Sequence, residues 1–230
     1  MKRFYKQVSL GECEAGYTVL LDGKPVKAPC GSAITARTQA LADKLADEWQ
    51  SQKDAINLQA MPMTRLCGGA LQIGEAEREA LIAEILNYSE TDLLCYHAQE
   101  SALQAKQLAE WEPVLKQFEL AFNVRFERTV GIIPVAQPVQ IAQVLRAYLE
   151  AVPPAELVAL APLVHGLGSA VLGLSVHRGL LSIDEAIEHA QLDERFQASL
   201  WGEDDASATL RAAQGNDLRH CAQYIALVRE

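Results

Sequence analysis

Several marks of specialised chemistry are missing from this chain. Its five cysteines, Cys13, Cys30, Cys67, Cys95 and Cys221, are odd in number and include no Cys-x-x-Cys pair. That pattern argues for reduced thiols in a cytosol-like compartment rather than a disulfide framework. Positive charge is also scarce: 20 Lys and Arg stand against 30 Asp and Glu, for a formal net charge of -10. A phosphate backbone would be repelled unless a local basic patch overrode the total, and Lys2, Arg3 and Lys6 are too few and too dispersed to form one. Nucleic acid is therefore not an expected partner. The opening stretch MKRFYKQVSL has neither the apolar run of a secretory signal nor the Arg- and Ser-rich, acid-poor character of an organellar one, so the chain reads as mature from Met1.

Long apolar runs are limited to one. Leu157 to Val176 carries no charge over a length that could cross a bilayer. It also holds Pro162, His165 and the small residues Gly166, Gly168, Ser169 and Gly173, and the chain is acidic with no second such run. A helix apolar on every side is also what the centre of a helical domain looks like, and a buried central helix is the expectation here.

Complete catalytic or ligand motifs are absent as well. Gly23-Lys24 would need a glycine five positions earlier and Ser or Thr afterwards to be a phosphate loop, and Thr18 and Pro25 stand there instead. Gly168-Ser169-Ala170 lacks the second glycine of a nucleophile elbow. Cys95 and His97 lie two apart, a spacing that separates side chains on a helix, and read as a core thiol beside a polar imidazole. His165 and His177 have no cluster of ligand-type residues around them in sequence, and His165 is expected as a hydrogen-bonded core histidine. The expectation is no catalytic residue, no cofactor and no metal.

What is present is a soluble globular composition, half hydrophobic and 22% charged over 230 residues. Its organisation changes once. Tyr17 to Leu21, then Asp22-Gly23, then Lys24 to Lys27 is a hairpin signal, because both central residues of the favoured turn need positive φ. Pro25 and Pro29 place that hairpin at a sheet edge. After Thr38 the period turns helical, with Leu41, Leu45 and Trp49 on one face. Ile56 to Met63 is expected to be an extended link ahead of a run of helices. These cover Glu77 to Tyr88, a short run to Tyr96 capped by Thr91-Asp92, and Leu103 to Phe122 with a break or kink forced by Pro113 near Glu112. Ile141 to Val152 and the apolar run follow. Ser182 to Glu185 is a capping box opening a helix that carries Ile187, Leu192, Phe196 and Leu200, and a last helix breaks around Gly215. The fold class is thus α+β, with a small β-rich domain containing one helix over residues 1–63 and a larger, mostly α-helical domain over 64–230.

The remaining feature is the acidic corner Trp201-Gly202-Glu203-Asp204-Asp205. Gly202 suits a helix end, and acids suit the amide-rich start of the next helix. Spacing alone ranks capping first, a partner-facing surface second and a metal or catalytic role last.

Segments across the whole length resemble one family. RFYKQV, VLLDGKPVKAP, LADEWQSQ, MPMTRL, YSETDLLCYHA, WEPVLKQF, GLGSAVLGLSV and LWGEDD together are similar to the ATP synthase assembly chaperones of the ATP-twelve type. The run TDLLCYHA followed by WGED at this separation is the more specific part. Leu58, where a proline is usual, and Cys67-Gly68-Gly69, in place of a more polar run, are departures. The resemblance implies a β-rich domain followed by a helical one, no catalysis, and a single partner: the free α subunit of the F-type ATP synthase catalytic head. The chaperone would shield that subunit's interface until it meets the β subunit. It also implies a functional acid at Glu203, to which Trp201, Asp204 and Asp205 are added as partner-binding residues by proximity. The setting it implies is the bacterial cytoplasm, with the mitochondrial matrix for eukaryotic relatives and a monomer favoured. A metal- or small-ligand-binding module, or an enzyme with an unrecognised site, is the alternative.

Overall fold

An alternating apolar segment and an Asp-Gly turn start the chain's first sheet. The computed structural model describes residues 1–202 and 205–229. Strands β1 (Val8–Cys13) and β2 (Gly16–Leu21) pair antiparallel in register from Val8↔Leu21 to Cys13↔Gly16. β3 (Lys24–Pro25) and β4 (Thr35–Ala36) both pair with β2. The turn into β3 has φ +48 at Asp22 and +78 at Gly23, as a two-residue hairpin with the strands' own twist requires. The Asp22 carboxylate accepts hydrogen bonds from the Gln7 amide (2.8 Å) and the Lys6 amide (3.1 Å), and these hold its carboxyl below the usual range. Pro25, which has no N–H to give, sits in the terminal strand of the order β1-β2-β3. A Cβ at Gly23 would meet nothing within 4 Å, so only the positive φ opposes a side chain there. Gly23→Ala is expected to cost about 1 kcal/mol, read as a lower denaturant midpoint with an unchanged slope.

Helix α1 (Gln39–Ser51) begins at Thr38, whose Oγ1 accepts from the Leu41 amide, and buries Leu41, Ala42, Leu45 and Trp49. The Tyr5 hydroxyl donates to the Trp49 carbonyl at 2.6 Å. The expected extended link over Ile56–Met63 is corrected: Leu58–Ala60 is a 3₁₀ turn capped by Asn57, and helix α2 (Pro62–Ala70) starts at the proline itself. Proline suits that position because the first helical N–H has no intrahelical partner anyway. The next two amides, of Met63 and Thr64, are taken by the Glu48 carboxylate at 2.7 and 2.8 Å, a tertiary cap invisible to local sequence.

The chain forms two compact units, one of Met1–Arg78, Pro153–Ala159 and Gln223–Glu230, the other of Glu79–Val152 and Leu160–Ala222. In the first, the Thr38 hydroxyl donates to the Leu227 carbonyl (2.7 Å), and Cys67 is hydrogen-bonded to Tyr224. The chain enters the second unit within α3 (Glu75–Glu90). A 3₁₀ turn, Leu93–Cys95, then leads to β5 (Tyr96–His97), which pairs parallel with β6 (Thr129–Val130). Helix α4 (Ser101–Phe122) runs through Pro113 as one helix and buries Leu103, Trp111, Leu115, Phe118 and Phe122, so of the break or kink expected there no break occurs. It ends at Asn123 with φ +53. Helix α5 (Val139–Glu150) precedes the apolar run.

That run is not one helix. It forms α6 (Pro154–Leu167) and α7 (Ala170–His177), separated at Gly168 with φ +64 and restarted by Ser169 as N-cap. The second unit's part of α6 packs closely on α7, where a Cβ at Gly173 would collide with Val164. Seven of the eight residues of α7 are buried, as expected of a central segment. Among the described residues no helix is long and apolar enough to cross a membrane. The capping box at Ser182 and Glu185 is present and opens α8 (Ile183–Ala190), but the helix stops there and α9 (Leu192–Trp201) follows as a separate element. Helix α10 (Asp205–Arg229) is continuous through Gly215, which is buried and faces Ile187, so the break expected at that glycine does not occur.

Candidate functional site

Helix α9 is anchored before it reaches its exposed end. Leu192 is buried, the Trp111 indole donates to the His189 carbonyl at 3.0 Å, and the Gln107 amide donates to the Asp193 carboxylate at 2.8 Å while its own oxygen receives the Ala98 amide. From that base α9 leads out to Trp201, which is 83% exposed, with Leu200 and Leu210 also exposed. Gly202 closes the helix with its amide on the Ala198 carbonyl and φ +83, ψ 167. That conformation is essentially restricted to glycine, so the residue fixes where the chain turns away from the tryptophan.

A shallow concavity of about 370 Å³ lies at this end, lined by Asp193, Glu194, Gln197, Trp201, Ser207 and Arg211 among others. Asp205 is exposed in the first turn of α10, where its charge complements the helix dipole. Glu203 and Asp204 lie outside the described residues. Of the expected partner-binding set, the structure therefore places Trp201 and Asp205 on either side of the corner.

The residues that would carry an enzyme reading are dispersed. Asp92 of the TDLLCYHA run is fully buried and holds three groups at once: the Leu94 amide (3.1 Å), the Ser169 hydroxyl (2.8 Å) and the Val171 amide (2.9 Å). Burial pushes its carboxyl up to about 6, against the hydrogen bonds that favour the charged form. Its position between a 3₁₀ turn and the start of α7 is a packing role. Cys95 is buried, with its thiol pushed up by burial and by Asp92; Cys67 is pushed up to about 12 by burial and by Glu48. Neither is a poised nucleophile.

His97 is buried against Trp111, and burial lowers its pKa. His177 is a core histidine hydrogen-bonded to the Tyr148 hydroxyl at 2.6 Å. His165 corrects the expectation of a core imidazole. Its side chain is 67% exposed and meets the Tyr88 hydroxyl at 3.0 Å and Glu84 at 3.4 Å. Hydrophobic neighbours in sequence did not put it inside, because it lies on the open side of α6. Among the described residues no three His, Cys, Asp or Glu side chains converge as a metal site would require.

Two features escaped the sequence reading. Arg128, in the connection before α5, is clamped by Glu119 (2.6 Å) and Glu112 (3.2 Å), and these carboxylates keep its guanidinium charged. The seven-residue spacing of the two glutamates along α4 was the available signal. Just beyond it, Ile132 and Ile133 are exposed, Ile132 at 94%. An apolar pair between a glycine and a proline looks in sequence like any buried turn.

The family model of the ATP12 chaperone protein matches residues 2–119. The mitochondrial protein atp12 of Schizosaccharomyces pombe is 23% identical over 214 residues, which cover 87% of this chain and 74% of the yeast one. Atp12 of Paracoccus denitrificans, a crystal structure, superposes with a TM-score of 0.91 at 33% identity, covering 99% of this chain and 98% of the other. A protein of Agrobacterium tumefaciens gives a TM-score of 0.90 at 36% identity, covering 97% and 85% of the two chains.

Proposed function

The chain belongs to the ATP12 chaperone family, whose members serve ATP synthase assembly, and on that premise we propose that it binds the free α subunit of the catalytic head. By covering the surface that later meets the β subunit, it would prevent that surface from associating wrongly. Exposed interface of this kind is an aggregation hazard, and a reversible binder needs mixed apolar and charged contacts to cover it.

The observation that carries this reading is the corner at the end of α9. A tryptophan 83% exposed lines one concavity with Asp193 and Glu194 at the end of a helix anchored at its base, and Asp205 opens the next helix. Large exposed aromatics are favoured anchors of protein interfaces, and carboxylates beside one suit Arg or Lys on the client. Glu203 is the acid that accepts those hydrogen bonds, with Trp201, Asp204 and Asp205 as its neighbours in the contact. The role is one of binding and release, with no chemical step. In a bacterium it is carried out in the cytoplasm, where the catalytic head is assembled.

Capture of isolated α and β subunits on the immobilised protein tests this. Retention of α but not β is the expected outcome, and capture of neither refutes the assignment.

A further inference from the structure

Gly68 lies inside helix α2, where glycine costs about 1 kcal/mol relative to alanine. Neither reason that usually justifies a helical glycine applies to it. Its φ is helical, and a Cβ built on it would find only ordinary contacts, with Ala28 at 3.9 Å and Ile34 at 4.0 Å. The neighbouring Gly69 differs, because its Cβ would press on Val158 at 3.0 Å. What the missing side chain at 68 does is leave room. Ala28 and Ile34 are walls of a cavity of about 500 Å³ within the first unit, completed by Trp49, Ile56, Leu58 and Gly68 itself. That volume falls in the range of small-ligand sites, and the lining is mainly apolar with a few polar groups, as such sites are.

The polar groups carry one sign. Lys27 and Arg65 line the cavity, no Asp or Glu does, and neither cation forms an ion pair among the described residues. In a chain with 30 acids, a carboxylate-free cleft with two unpaired cations selects for a negative occupant. Thr64 supplies a further unmet group: it lines the same cavity, is 5% exposed, and its Oγ1 has no hydrogen-bond partner.

We propose that this cavity binds a small amphiphilic anion of the fatty-acid class, its apolar tail against Ala28, Ile34 and Trp49 above Gly68 and its carboxylate held by Arg65 and Lys27. The site is independent of the client-binding corner and does not rest on the choice of subunit. The tail gains from leaving water, and the head group brings the charge the cleft lacks.

Calorimetric titration of the full chain with monomeric dodecanoate tests it. The expected result is saturable one-to-one binding with a dissociation constant on the order of 10–100 µM. Arg65→Glu, a change at an exposed position, should weaken binding about tenfold or more, and Gly68→Leu should abolish it by filling the space. Circular dichroism and melting confirm that each variant is folded. If Gly68→Leu fails to fold, the Arg65→Glu and Lys27→Glu variants decide alone. Dodecyltrimethylammonium, with the same tail and opposite charge, should not bind. No dodecanoate binding, equal binding of the cation, or binding indifferent to every variant overturns the proposal. Sedimentation with phosphatidylglycerol vesicles that is lost in Arg65→Glu, without binding of monomeric dodecanoate, overturns it in favour of a lipid surface.

Discussion

Replacing Asp92 by alanine should destabilise the protein by about 3 kcal/mol at pH 7, the largest loss expected from any single polar side chain here. The carboxylate is fully buried and receives the Leu94 amide, the Ser169 hydroxyl and the Val171 amide. Truncation leaves three buried donors without an acceptor, and each costs on the order of 1 kcal/mol or more after partial relaxation. The loss should appear as a lower denaturant midpoint and as earlier hydrogen exchange in α7.

The same residue has a pH signature of opposite sense to the usual carboxylate. In the folded protein Asp92 keeps its proton to about pH 6, whereas in the unfolded chain it releases it near its ordinary value of 3.8. Between those limits the folded state binds more protons, so this group's contribution falls as pH rises. It is fully present below about pH 4 and lost above about pH 6. The difference amounts to about 3 kcal/mol, and it coexists with the cost of truncation because ionised and absent are different conditions. Asp92→Asn removes the titration while keeping one acceptor oxygen. The stability of the wild type relative to Asp92→Asn should therefore decline from pH 4 to pH 6.5; a constant difference would show that Asp92 is ionised throughout.

Glu203→Lys should abolish capture of the α subunit, with more than a tenfold loss of affinity, while the thermal midpoint stays within about 2 °C of wild type. The substitution sets a like charge against the client's Arg or Lys, so it removes an attraction and adds a repulsion. If Glu203 instead served chiefly to cap α10, the variant would lose helix content and melt earlier, with binding reduced in proportion to unfolding. Asp205→Ala gives the internal comparison. Asp205 occupies the first turn of α10, so its removal is expected to cost no more than about 1 kcal/mol of stability.

Sequence legibility followed the range of the interactions. Asp22-Gly23 and the Ser182 capping box were readable because the groups they satisfy lie within a few residues, and both occur as expected. The two-part α+β character was readable from the change of period after Thr38. The break inside Leu157–Val176 was not, although Gly168-Ser169 sits there in plain view. It is stabilised by Asp92, 77 residues before Ser169. Gly215 misled in the other direction, because packing on Ile187 carries α10 through the glycine; at Pro113 no break occurs, because the buried face from Leu103 to Phe122 carries α4 through the proline. At the acidic corner the helix end and its glycine could be read locally. The cavity above Gly68 could not, because its walls come from the strand-to-loop stretch around Val26–Ile34, from Trp49 and from residues 58–72.

The return of residues 223–229 to the first unit bears on the order in which the protein is made. Thr38 donates to the Leu227 carbonyl, 189 residues later, and Cys67 is hydrogen-bonded to Tyr224, so contacts of the part translated first are completed only after residues 79–222 have been made. Until then the first unit lacks those contacts, although most of its own residues precede the second unit in the chain.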